Sequence, residues 1–197
     1  MKHKNAIILF TKNPELGKVK TRLAKTIGDE KALLIYKKLL NHTQSIVASI
    51  EQDKFVFYSD TINENDQWNE DGYYKKLQYN GDLGERMNAA FKEVFNLGYQ
   101  SICIIGSDCY ELNSEIIAEA FHKLENYEAV VGPTFDGGYY LLGMNKLHEQ
   151  LFQNKAWSTD SVFIDTVSDF NTLHLSWHSL IKLSDIDEEK DLPEHWR

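Results

Sequence analysis

The sequence predicts an α/β chain folded as a three-layer α/β/α sandwich around a mostly parallel central sheet. Two observations predict it. Compact apolar runs such as Asn5–Thr11 (NAIILFT) and Ser101–Gly106 (SICIIG) read as strands buried on both faces. Longer stretches with apolar residues at helical spacing fall between them, which is the alternation of α/β layers. In such folds the ligand lies at the carboxyl ends of the strands, so the residues after each strand are the candidates for function.

The elements follow in order. Asn5–Thr11 is the first strand. A polar loop holding Pro14 and Gly17 follows it. Ala32, Leu33, Ile35, Tyr36, Leu39, Leu40, Ile46, Val47 and Ile50 then predict a long helix, with Asp29 as its cap. Lys54–Ser59 reads as a strand, Asp60–Gly72 as a polar surface loop and Tyr74–Tyr79 as a short strand. Gly81-Asp82-Leu83-Gly84 leads into a helix that Gly98 ends. After the strand at 101–106, Asn113 or Ser114 opens a helix to about Leu124. Glu128–Gly132 and Tyr139–Met144 are strands, Asp160–Asp169 is a helix, and strand-like segments follow near 171–183. The acidic tail is read as ending in a short helix. There is no repeat and no linker, and the 197 residues predict a single domain over 1–197, within the ~100–200 residues a domain usually takes.

Composition narrows the function. A net charge of −9 argues against general nucleic-acid binding and against docking on anionic lipid. The charge is uneven, however: residues 1–25 carry Lys2, Lys4, Lys12, Lys18, Lys20, Arg22 and Lys25 against Glu15 alone. A local basic site in an acidic protein suits a small anionic ligand. Cys103 and Cys109 have neither metal-type nor redox-type spacing, and the opening apolar run is too short for a signal segment, so a reduced, cytoplasmic setting is expected. The sequence leaves the oligomeric state open, a homodimer included.

Several segments after strands carry chemistry, each beside a plainer reading. Lys12–Leu23 is a basic loop without a dinucleotide or P-loop pattern, and Lys20 and Arg22 suit phosphate oxygens; a solvated loop is the rival. Gly81 and Gly84 let a ligand approach a helix start, with Arg86 one turn in, or else form the glycine turn that is common before a helix. Asp108 ends an apolar strand and suits Mg2+ or Mn2+, or else a turn or helix cap. Asp185-Ile186-Asp187 offers a second carboxylate, or else a turn and cap. Asp136, before Gly137 and Gly138, suits a base or an acceptor-orienting group, or else a hairpin turn. Trp157, Ser158 and Thr159 offer a ring and two hydroxyls, or a buried indole with a helix cap. No His-rich metal motif, nucleophile elbow or Cys–His signature is present.

Taken together, FTKNPELGKVKTRLA (10–24), QYNGDLGERM (78–87), IGSDCYEL (105–112), VVGPTFDGGYYLLG (130–143), AWST (156–159) and LSDIDEEKDL (183–192) resemble a known family. It is the group of small bacterial glycosyltransferase-like proteins assigned to arsenosugar biosynthesis, formerly a domain of unknown function. The resemblance covers almost the whole chain and implies the nucleotide-diphospho-sugar transferase fold, GT-A. It implies phosphate binding by Lys12, Lys20 and Arg22, a metal on Asp108 completed by Asp187, and an acceptor side at Asp136, Gly137, Gly138 and Tyr139. Tyr110 departs from the family, which usually has proline there, and Glu188 stands where threonine is common. The family label does not name a substrate.

The expectation is therefore a metal-dependent glycosyltransferase. It would use a nucleotide-diphospho-sugar donor and a small-molecule acceptor, with Mg2+ or Mn2+ bound, Asp136 as catalytic group, and Trp157, Ser158 and Thr159 beside the acceptor. The nucleotide contacts would add Gly81, Gly84 and Arg86. The alternatives are a nucleotidyltransferase that releases pyrophosphate and a nucleotide-binding sensor without catalysis.

Overall fold

The computed structural model describes residues 4–69 and 72–196; Lys2 of the basic segment and residues 70 and 71 of the polar stretch lie outside them. Among the described residues seven strands form one sheet: β1 (Asn5–Thr11), β2 (Asp53–Tyr58), β3 (Tyr73–Leu77), β4 (Ser101–Ile105), β5 (Ala129–Pro133), β6 (Tyr139–Met144) and β7 (Trp177–Ser179). Their order across the sheet is β3-β2-β1-β4-β6-β5-β7. Only β6 runs against its neighbours, pairing antiparallel with both β4 and β5. The other pairs are parallel.

Successive strand side chains point to opposite faces, and both faces are covered. Ile7, Leu9, Val56, Cys103 and Ile105 meet helices α2 (Asp29–Ala48) and α4 (Ser114–Lys123) through Tyr36, Leu40, Val47, Ile117 and Phe121. Ala6, Ile8, Phe55, Phe57, Ile102 and Ile104 face α3 (Leu83–Asn96) and α5 (Val162–Thr172) through Met87, Phe91, Val94 and Phe170. The unbroken apolar runs Ala6–Phe10 in β1 and Ile102–Ile105 in β4 are what a sheet packed on both sides requires, and the three layers are those the sequence predicts.

Four local expectations change. Helix α1 (Thr21–Ile27) lies inside what reads as a basic loop; its one fully buried side chain, Leu23, packs with Ile35, Leu39, Ile186 and Leu192. A seven-residue helix with a single anchor leaves no periodic signature. Gly28, not Asp29, caps α2; Asp29 and Glu30 occupy its first turn, where the helix dipole favours acid. The polar stretch 60–72 is not all surface, because Trp68 is buried and Asp66 accepts hydrogen bonds from Tyr58 (2.6 Å) and Lys75 (3.0 Å). The tail forms two 3-10 turns, Glu189–Asp191 and Glu194–Trp196. No helix among the described residues is long and apolar enough to cross a membrane.

Candidate active site

Because every strand but β6 runs one way, their carboxyl ends share an edge, and reversed β6 brings its amino end to the same place. A cleft of about 850 Å³ opens there. The segments after β1, β4 and β5, the start of β6, and residues 157–160 and 185–187 form its lining.

One wall is built on charge. Lys20 sits at the start of α1 with a left-handed backbone, φ 48° and ψ 43°, and its side chain is 4% exposed. Its ammonium lies 2.9 Å from Asp108 Oδ1 and 3.2 Å from Asp187 Oδ1. The Asp187 carboxylate also accepts from Arg22 Nη1 at 3.3 Å, and Arg22 is largely exposed. These three contacts join the loop after β1, the end of β4 and the segment after β7. That last segment is held by backbone bonds: Leu183 N–H donates to Pro133 O (3.1 Å) and Ile186 N–H to Asp108 O (2.9 Å). Burial alone would lower the Lys20 pKa, but the charges and hydrogen bonds of Asp108 and Asp187 outweigh it and raise it.

Asp185 completes the wall. Burial, then the negative charges of Asp108, Asp136 and Asp187, push its carboxyl up to about 7 against the opposing pull of Lys20. A floor of hydroxyls lies beneath. Tyr36 of α2 is buried; its oxygen accepts from Lys12 N–H (2.8 Å), donates to Lys12 O (3.1 Å), and lies 3.4 Å from Ser107 Oγ. It therefore ties the ends of β1 and β4 together and sets the course of the chain at Lys12. Lys12 itself is exposed at the rim. Asn13 fixes the next step, accepting from Asp60 and Thr61 N–H and donating to Thr61 O at 2.8 Å.

The opposite wall is built on close backbone packing. Asp136 Oδ1 accepts from Thr134 Oγ1 and from Gly138 N–H, the latter at 3.2 Å, so the hairpin role is real and engages one of its two oxygens. Gly137 has φ 93°, and a Cβ there would overlap the backbone of Asp160. Its carbonyl accepts from Phe163 N–H at 2.8 Å, which docks the start of α5 on the hairpin. Tyr139 reaches back to Met87 Sδ at 3.7 Å. Trp157, Ser158 and Thr159 line this side together with Asp160. Ser158 has φ 63°, and Thr159 Oγ1 donates to Ala156 O at 2.7 Å.

The rival readings can now be weighed. Asn113 caps α4, so Asp108 is no helix cap. The turn after Asp187 is capped by Glu188 and Asp191, so Asp187 is not a cap either. Ser161 stands at the cap of α5, not Ser158 or Thr159. Gly81 and Gly84, read from the sequence as making room for nucleotide, have steric reasons within the protein. A Cβ at Gly81 would overlap Glu85, which forms a reciprocal cap with Asp82, and a Cβ at Gly84 would overlap the Trp157 indole. Arg86 lines the cleft, its Nε donating to Gly81 O at 2.7 Å. Tyr36, Gln78 and Asp160 also line the cleft and are absent from the candidates read in sequence, and none carried a signal there; Asp185, offered only through the Asp-Ile-Asp triplet, lines it too.

Among the described residues no three His, Cys, Asp or Glu side chains close into a metal cage. What converges is an oxygen pair, Asp108 and Asp187, with Asp185 near both. That donor set fits a hard divalent cation of the Mg2+ type, which is commonly held by one or two carboxylates and completed by substrate phosphates.

Residues 42–159 match the model of a family described as an uncharacterized protein conserved in bacteria, DUF2064. No curated protein sequence matches the chain. Among solved structures, a proposed nucleotide-diphospho-sugar transferase from Desulfovibrio desulfuricans G20 is 31% identical, with a TM-score of 0.87 over 93% of this chain and 82% of that one. A 4-diphosphocytidyl-2C-methyl-D-erythritol synthase from Anaerococcus prevotii DSM 20548 is similar at 11% identity, TM-score 0.63, over 95% and 92% of the two chains. An inositol-1-phosphate CTP transferase from T. maritima is similar at 10% identity, TM-score 0.60, over 98% and 93%. The fold is that of the nucleotide-diphospho-sugar transferases.

Proposed function

The chain belongs to this bacterial family, DUF2064, and from that premise we propose that it is a metal-dependent glycosyltransferase, moving a sugar from a nucleotide-diphospho-sugar to a small-molecule acceptor. The observation that carries this reading is the contrast between the two walls. Lys12, Lys20 and Arg22 gather with Asp108 and Asp187 on one side, a set suited to a diphosphate with a divalent ion. The facing segments, 134–140 and 157–160, carry Asp136 and Asp160 and neither Lys nor Arg. The hydroxyls and carboxylates of those segments suit a neutral, hydroxyl-bearing acceptor, and the cation nearest that wall is Arg86 of the adjoining α3, whose Nε is engaged by Gly81 O.

Each residue then has a task. Asp108 and Asp187 would hold Mg2+ or Mn2+, which supplies charge stabilisation for the departing nucleoside diphosphate. Lys20 and Arg22 stabilise the same developing charge, Lys20 as a point charge and Arg22 as a forked donor. Asp136, with Oδ1 held by Thr134 and Gly138, presents its other oxygen to orient or deprotonate the acceptor hydroxyl. Trp157, Ser158, Thr159 and Tyr139 surround the acceptor. The cytoplasm is the compartment we propose for this reaction, since both cysteines are free thiols buried in the protein.

A second reading, nucleotidyl transfer with release of pyrophosphate, is favoured by the fold shared with the Anaerococcus prevotii and T. maritima proteins. A common fold does not decide chemistry. The products do. A panel of nucleotide sugars with Mn2+ should yield nucleoside diphosphate, and Asp108→Asn should abolish Mn2+-dependent donor binding while keeping the fold. Pyrophosphate release from a nucleoside triphosphate, with no diphosphate from any sugar donor, would replace the first reading by the second.

A further inference from the structure

We infer that Lys20 makes the metal site selective: its ammonium holds the position of the divalent ion until a diphosphate arrives, so the protein takes the ion with the diphosphate and refuses the ion alone. This rests on the metal-and-diphosphate reading above. The geometry comes first. Nζ stands 2.9 Å from one oxygen of Asp108 and 3.2 Å from one of Asp187. A small divalent ion bound to those oxygens would lie about 2.0–2.1 Å from each. Ion and ammonium therefore compete for the same space, and one must leave.

The cost of leaving falls on Lys20. Its side chain is 4% exposed, while its two partners are 45% and 36% exposed. Displacing the ammonium without a new partner leaves a buried, uncompensated charge, which is strongly unfavourable. The incoming ion also finds an incomplete set of ligands, since the carboxylates do not close into a cage. A diphosphate removes both obstacles. Its oxygens complete the shell of the ion, and its negative charge gives the displaced ammonium a counter-ion. Lys is fitted to the exchange because its compact charge sits on a flexible four-carbon stem. Arg22, largely exposed and bonded only to the outer oxygen of Asp187, is not a rival for the same position.

The thermodynamic content is a coupling between ion and diphosphate that is reciprocal by necessity. Removing Lys20 should separate the two, with opposite signs. Free ion should bind more tightly, because the resident cation is gone. Diphosphate should bind more weakly, because its counter-charge is gone. A residue that only bound phosphate would give the second effect without the first.

The probes are Mn2+ alone and Mn2+ with inorganic pyrophosphate, followed by electron paramagnetic resonance of free and bound ion on the whole protein. Lys20→Gly is the main variant, because φ 48° suits glycine and the fold is kept. Lys20→Asn, which also tolerates that backbone, is the second, and thermal unfolding checks both. The expected result is at least tenfold tighter binding of Mn2+ alone in both variants, with at least tenfold weaker retention of pyrophosphate. Lys20→Arg, which keeps a cation, should leave free Mn2+ as weakly bound as in the wild type. Unchanged or weaker binding of free Mn2+ in the folded variants would overturn the inference and, with Mn2+ and pyrophosphate still binding together to the wild type, leave the transferase reading intact. A wild type that binds Mn2+ under neither condition would overturn both.

Discussion

Lys20 and Lys155 both carry buried side chains, and they are used differently. Lys20 is 4% exposed and faces the cleft, between carboxylates that solvent and ligand can reach. Lys155 is 1% exposed, with its ammonium 2.8 Å from Asp169 Oδ2 and 2.7 Å from Thr166 Oγ1, both on α5. It lies behind the loop that carries Trp157, 5.6 Å from the centre of that ring. The two ion pairs look alike in distance and burial. What separates them is where their partners lead: those of Lys20 come from two chain segments that meet only at the cleft, those of Lys155 from one helix. Burial of a charge marks a position that matters, and the surroundings of its partners tell whether it matters for ligand or for architecture.

The comparison is most open to attack through Lys155. Lys155→Met removes the ammonium's bonds to Asp169 and Thr166 and loosens the loop 154–160, so the loss should be about 3 kcal/mol, the upper end for hydrogen bonds to a charged group. In a chain of this size that lowers Tm by about 6–12 °C. Thermal unfolding checks it, and an unchanged Tm would reduce Lys155 to a passive neighbour of the indole. Asp136→Asn comes next. Turnover should fall about 100-fold or more, the scale of a lost acid–base group, with donor Kd unchanged. Parallel loss of donor affinity would move Asp136 to the charged wall.

A smaller effect sharpens the cleft side. Arg22→Ala should weaken a nucleoside diphosphate about tenfold while leaving the matching nucleoside unchanged, the modest value expected of an exposed cation whose field is screened. Equal losses for both ligands, measured by titration calorimetry, would give Arg22 a folding role. The last is a pH effect from Asp185. Its carboxyl is raised to about 7, so between roughly pH 4 and 7 the folded protein holds a proton that the unfolded chain releases. Stability therefore declines as pH rises through that window and levels off above it. Asp185→Asn should flatten this decline, seen as a smaller difference in Tm between pH 5 and pH 8; an unaltered difference would mean that another group titrates there.

The sequence was most informative where one physical effect dominates. Ala6–Leu9 and Ile102–Ile105 lie on two covered faces, so every position is apolar and the strands announce themselves. Asp108 and Asp136 were legible because loops after strands in α/β chains lie at the ligand edge, Asp187 through the Asp-Ile-Asp triplet and the resemblance, and all three line the cleft. Tyr36 was not, since a phenol at helical spacing reads as core, and its ring is indeed core; only its hydroxyl serves the site. Gly84 misled for a related reason: the need for a small residue was visible, but the body filling the space was an indole 73 positions away rather than a ligand. Lys20 showed its charge but not its engagement with two carboxylates, because those partners arrive from distant parts of the chain.

That distance has a consequence in time. Lys20 and Asp187 are 167 positions apart, and Asp187 is delivered by the segment after β7, which is bonded to the sheet at Leu180, Ile181, Leu183 and Ile186. Chains emerge from the ribosome amino end first, and domains fold as the chain appears. Strands β1 to β6 can pair before residue 183 exists, yet the charged wall is still missing a side. A growing chain is thus a sheet in which Lys20 faces Asp108 without Asp187. A cut between β7 and Leu183 would turn a finished molecule back towards that earlier form, with most of its sheet kept and the hold on Asp187 loosened.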